Sequence, residues 1–244
     1  MIATNLDEAR GLVADACRIL AMEGLVDEVL GHVSMRVDEA SLLVRCRGPH
    51  EHGLLFTSRE DIQLASLDGE LEDASSPYRL PVELPIHTET LRARPEVGAV
   101  VHAHPPEVVL CSITGLEYRP VFGAFNIPAM KLAGVVPTLD FAGLVRRRER
   151  ATAMVELMGD APVCVLRGHG LTAVGATVQQ AVVRALNFTA LARMTALVTG
   201  TGREASLVTD EDLEDLPDLG SAFNDEQVWR YYLAKARHRG VLEP

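Results

Sequence analysis

The sequence reads as one domain whose pattern of elements is compatible with an α/β fold. Three observations support that reading. Amphipathic helical stretches alternate with groups of short apolar strands, no segment has the length and composition of an interdomain linker, and 244 residues with 48% hydrophobic content can enclose one large core. No internal repeat or low-complexity tract breaks the alternation.

The first element is a helix over Leu6 to Met22. Leu6, Ala9, Leu12, Val13, Ala16, Ile19 and Leu20 recur at spacings of three and four, with Asn5 placed to cap and Gly24 to stop it. GHVSMRVDEASLLVRCR then reads as a hairpin, two aliphatic runs around the polar DEAS, and GLLFTS as a third strand. The acidic, Ser-rich, Pro-bounded GELEDASSPYRLP is an exposed loop. A helix follows from Pro85 to Ala93, with its proline in the first turn and Pro95 beyond its end.

GAVVHAHPP is a strand stopped by two prolines, and PEVVLCSIT is helical. Residues 118–141 hold short strands and turns. GLVRRRERATAMVELMG is a helix with a basic face, and PVCVLRGHGLTAVG is a buried strand, a tight turn and a second strand. TVQQAVVRALNFTALARMTALVTG is a long amphipathic helix, 203–220 an acidic surface loop or short helix, and a last helix covers about 224–239.

Charge and cysteine usage exclude several classes. With 23 Lys and Arg against 34 Asp and Glu, the formal charge of -11 repels nucleic acid and anionic membranes. The four cysteines are scattered and read as thiols, with no CxxC pair and no dense disulfide framework. No run of about 18 apolar residues and no basic, apolar leader occurs, so a cytoplasmic protein is expected.

The strongest chemical signal is a histidine set. In VVHAHP, His102 and His104 project from one face of a strand, because side chains alternate along it. In RGHG, Gly168 and Gly170 permit a sharp turn that presents His169 after another buried strand. Three protein ligands with an open position are the pattern of a catalytic metal site, and Glu83 is placed to complete the sphere or act as acid or base.

Read together, these segments resemble the class II aldolase and adducin-like family over nearly the whole chain. GHVSMRV is similar to its early strand motif, ELPIH to its Glu with a His four residues on, RARPEVGAVVHAHPP to its ligand strand, and RGHGLTAVG to its third-ligand turn. The resemblance implies a three-layer αβα domain over residues 1–244 with a central mixed or antiparallel sheet. It implies a homotetramer with active sites between subunits, the C-terminal helix at an interface and Tyr231 donated across it. It assigns His102, His104, His169 and Glu83 to one divalent ion per chain, zinc or manganese before cobalt or iron, with no organic cofactor.

Departures from the sugar-phosphate aldolases set the subclass. His32 replaces an early Asn, the loop reads FTSRE, and Pro81 and Val82 precede Glu83, so most of a phosphate cradle is absent. GHVS, the Arg45-Cys46-Arg47 segment and RPVF resemble the subgroup that decarboxylates hydroxylated aromatic or heteroaromatic carboxylates. Arg suits such substrates because its planar fork binds a carboxylate bidentately. The expectation is a metal-dependent carbon–carbon lyase acting on a small carboxylate, with Ser34, Arg45, Arg47, Thr57 and Ser58 binding substrate. Glu83 is the proton donor or relay, His32 a second donor, and His87 a support for Glu83. The alternatives are an aldolase cleaving a hydroxy-ketone or hydroxy-acid, oxidative chemistry at iron, and a non-catalytic adducin-like binding module.

Overall fold

The computed structural model describes residues 5–219 and 222–243. The helices are α1 (Leu6–Met22), α2 (Leu84–Ala93), α3 (Pro106–Thr114), α4 (Ile127–Met130), α5 (Arg148–Met158), α6 (Val178–Gly200), α7 (Asp210–Glu214) and α8 (Ala222–His238). The strands are β1 (His32–Arg36), β2 (Ser41–Arg45), β3 (Ile62–Ser66), β4 (Ala99–Ala103), β5 (Thr138–Leu139), β6 (Val163–Leu166) and β7 (Gly170–Gly175). They form one sheet in the order β3-β2-β1-β4-β7-β6-β5. Every pairing is antiparallel except β5 with β6.

Two apolar clusters flank the sheet, which makes the expected α/β arrangement three layers deep. On one face, Val33, Leu43, Val101 and Ala173 of the strands pack with Val13, Ile19 and Leu20 of α1 and Phe188 and Leu191 of α6. On the other, Val44, Val100 and Val174 pack with Ile86 and Leu91 of α2 and Met154 of α5. Each fully buried aliphatic side chain contributes about 1.5–3 kcal/mol relative to exposure. The alternation along each strand therefore fixes which side chain faces which helical layer.

The helix α6 is long and apolar enough to cross a membrane, yet 56% of its most apolar window is buried within the fold. The four cysteines Cys17, Cys46, Cys111 and Cys164 are free and buried, as their scattered positions imply.

Two local expectations are corrected. GLLFTS is not a strand: Phe56 and Thr57 donate their N–H groups three residues back, closing a tight turn over Leu54–Phe56. The place beside β2 belongs to β3, which pairs from Arg45↔Ile62 to Ser41↔Ser66. The helix expected from Gly143 starts only at Arg148, because the Val145 N–H is donated to the Glu83 carboxylate instead of to a helical turn.

Candidate metal centre

The site forms where the middle of the sheet meets the start of α2. β1 and β4 pair with His32 opposite His102, and β4 and β7 pair with His102 opposite Thr172. Strand alternation puts His32, Ser34 and His102 on the α2 side of the sheet. Glu83 stands at the N-cap of α2 but makes no side-chain cap bond, so its carboxylate is free to turn toward the histidines.

His104 follows β4 by one residue and is held there by its N–H donating to Leu25 O at 2.9 Å. His169 sits in the turn between β6 and β7. Gly168 takes φ +66 in that turn, the left-handed region that favours glycine. A Cβ at Gly170 would lie 2.2 Å from Ala103 O and 3.0 Å from the His104 Cα, so only glycine lets the turn close against the end of β4. Ser112 of α3 fixes the other side by accepting the Gly168 N–H at 2.9 Å.

One potential ligand atom from each of Glu83, His102, His104 and His169 lies within 4.8 Å of the others. The His102 Nε2 is 2.9 Å from the His104 Nε2 and 3.3 Å from the His169 Nε2. The Glu83 Oε2 is 3.5 Å from His102 Nε2 and 3.4 Å from His169 Nε2. Donors around a tetrahedral ion with bonds near 2.0–2.1 Å lie about 3.3 Å apart, so the four atoms fit one small divalent cation. Glu83 and His102 are buried while His104 and His169 are partly exposed, which opens the cluster toward solvent on one side.

The electrostatics suit a cation. Burial would raise the Glu83 carboxyl, but hydrogen bonds from His102 and His169 outweigh it and hold the group well below the usual carboxylate range. Burial, then the neighbouring His102 and His169, pushes His104 down to about 3. Burial likewise lowers His102, against the pull of Glu83. A neutral imidazole and an ionised carboxylate are the forms that bind metal. The other Glu83 oxygen, Oε1, accepts the Val145 N–H at 2.6 Å, which fixes the carboxylate so that Oε2 faces the histidines.

Behind the cluster, His87 spends both ring nitrogens away from Glu83. Its Nε2 is 2.6 Å from His32 Nδ1 and its Nδ1 is 2.6 Å from Ser34 Oγ. The His32 ring in turn lies over His102, with centroids 4.9 Å apart at 30°. The spacing in ELPIH signalled that His87 shares a helix face with Glu83, but not that it would meet β1. The Val145 contact has no side-chain signature, because a backbone N–H makes it.

The expected substrate residues are not gathered at the cluster. Ser34 is fully buried behind His87. Arg45 alternates onto the α1 side of the sheet, opposite His102, and pairs with Glu51. Thr57 is fully buried on the same side, its carbonyl accepting from Arg18 Nε at 2.6 Å. Ser58 donates its hydroxyl to Asp61 in a capping box, and Arg47 is exposed with its guanidinium on Val29 O. Tyr231 lies on α8, 59% exposed and edge-on to Tyr232. Since α8 packs with α1 and α6, Tyr231 is on the layer away from Glu83 within one chain.

Residues 11–196 match the model of the Class II Aldolase and Adducin N-terminal domain. The chain belongs to the class II aldolase and adducin family. It is 50% identical to the 3,4-dihydroxyphthalate decarboxylase of Arthrobacter keyseri, over 93% of each chain. It is 42% identical to the 3,4-dihydroxyphthalate decarboxylase of Rhodococcus jostii, over 97% of this chain and 99% of that one. Among solved structures, an aldolase II superfamily protein from Pseudomonas syringae superposes with a TM-score of 0.82 at 20% identity, covering 98% of this chain and 96% of the other. This likeness shows a shared fold.

Proposed function

We propose that this protein is a divalent-metal-dependent lyase that removes carbon dioxide from a dihydroxylated aromatic carboxylate of the 3,4-dihydroxyphthalate type. The single observation that carries the proposal is the Glu83–His102–His104–His169 cluster in a chain 42–50% identical to decarboxylases of that substrate. His102, His104 and His169 are the proposed ligands, with Glu83 beside them, and zinc or manganese suits this donor set. When bound, the ion supplies Lewis acidity that polarises a substrate oxygen and stabilises the charge left as the carboxylate departs.

The residues of the chain handle the proton. Glu83, kept ionised by its histidine neighbours, takes the proton of the ring hydroxyl beside the scissile carboxylate. The carbon–carbon bond breaks, carbon dioxide leaves, and the electron pair stays on the ring carbon. Glu83 then returns its proton to that carbon, and a proton from water restores the ring hydroxyl of the product. His32, whose ring borders His102, is a further side chain able to hydrogen-bond the substrate. Arg45 and Ser58 are left out of this site because their polar groups are committed to Glu51 and Asp61. That commitment also removes support for a sugar phosphate as substrate. A symmetric assembly in which α8 of a neighbouring copy presents Tyr231 would extend the site.

The test uses His102→Ala and His169→Ala. Each should lose bound metal by elemental analysis and lose carbon dioxide release from 3,4-dihydroxyphthalate together. Wild-type turnover in either variant would sink the proposal. Release of an aldehyde in place of carbon dioxide from a hydroxy-acid substrate would favour aldolase chemistry.

A further inference from the structure

The chain Ser34–His87–His32 is buried, lies beside the cluster and is used by neither the metal ligands nor Glu83. Its direction follows from counting protons. The Ser34 hydroxyl is fully buried and its one hydrogen bond among the described residues is to His87 Nδ1. A buried hydroxyl whose proton meets no acceptor loses about 1–3 kcal/mol, so the Ser34 proton points at His87 Nδ1 and that nitrogen accepts. A neutral imidazole that accepts at Nδ1 carries its proton on Nε2. The His87 Nε2 therefore donates across 2.6 Å to His32 Nδ1, and His32 in turn carries its own proton on Nε2.

We propose that Ser34 and His87 are positioning residues that lock His32 as the Nε2–H tautomer, making it a hydrogen-bond donor to an oxygen of the bound aromatic carboxylate. His32 keeps 8% of its surface, and its Nε2 has no bond to the described residues. Each link runs one way, from β1 through α2 and back to β1. The serine at the far end thus sets which nitrogen of His32 carries the proton without touching substrate. The tautomer is a property of the resting protein, whereas its use in turnover rests on the lyase reading above.

The experiment is long-range proton–nitrogen NMR on protein labelled in its histidine rings and loaded with zinc, a diamagnetic ion. His32 signals are assigned by their loss in His32→Asn. Wild type should show His32 and His87 both protonated on Nε2. In Ser34→Ala the His32 signals should move toward a mixture of tautomers, and kcat should fall about tenfold with KM within about twofold, the loss of one hydrogen bond. His87→Gln, whose amide can still donate to His32 Nδ1, should keep the tautomer, and His87→Leu should not. A wild-type His32 protonated on Nδ1, or a Ser34→Ala protein with unchanged tautomer and kcat, would overturn the proposal. Correct tautomers in a wild-type protein that releases no carbon dioxide would uphold the relay and overturn the lyase reading.

Discussion

Replacing Gly170 with alanine tests how the fold brings its third histidine to the cluster. The added Cβ would sit 2.2 Å from Ala103 O and 3.0 Å from both the Cα and Cδ2 of His104. Two of those three neighbours are backbone, so no rotamer change relieves the contact, and β7 must retreat from the end of β4 by about 1 Å to reach ordinary packing distance. Overpacking of this kind costs about 1–3 kcal/mol, which in a chain of this size lowers Tm by roughly 2–12 °C. The same retreat carries His169 away from His102 and His104. A ligand bond near 2.0–2.1 Å does not survive a displacement of about 1 Å, so zinc affinity should fall at least about 100-fold. Thermal unfolding with and without zinc, together with competition against a chelator, reads both effects. Gly200→Ala is the control, because nothing lies within 4 Å of a Cβ there at the end of α6, and it should be neutral or stabilising by up to about 1 kcal/mol. A Gly170→Ala protein with wild-type Tm and zinc affinity would refute the close-approach argument.

Further outcomes follow from the same geometry. Acid should unfold the metal-free protein early: His87 and His104 are both depressed to about 3 in the fold, so the unfolded chain binds their protons first. Their share of stability is then present above the ordinary histidine value and is lost as pH falls from about 6.5 toward 3, seen as a fall in denaturation midpoint; a midpoint flat from pH 7 to 5 would contradict it. Glu83→Gln removes the proposed proton carrier while keeping its size, and turnover should drop by about 100-fold or more with the fold intact by circular dichroism. Arg45→Met leaves Glu51 half-buried without its partner and should cost about 3–5 kcal/mol in urea titration while leaving KM unchanged. A raised KM at unchanged stability would return Arg45 to the substrate site.

What the sequence could convey depended on how local the signal was. Strand alternation in VVHAHP and the glycines around His169 mark the three histidines as candidates from short-range pattern, and the resemblance to a known family joined them into one expected site. That Glu83 would join them depends on α2 docking across β1 and β4, a long-range contact that only the resemblance to a known family supplied. Arg45 and Arg47 show the limit of a two-residue motif. Nothing local tells that Arg45 turns to the layer of α1 and pairs with Glu51, or that Arg47 is exposed with its guanidinium on Val29 O. Ser58 is a related case, since a hydroxyl suited to an anion is equally suited to capping a turn, as it does here with Asp61. The Val145–Glu83 bond and the Ser34–His87–His32 chain carry no motif, because one runs through a backbone N–H and the other joins residues more than 50 positions apart.

The most direct test of the central claim is carbon dioxide release from 3,4-dihydroxyphthalate by protein first stripped of metal and then titrated with zinc or manganese. Stripped protein should release none, and release should rise with added metal and saturate at one ion per chain. Full release from metal-free protein, or none at any metal loading, would contradict it.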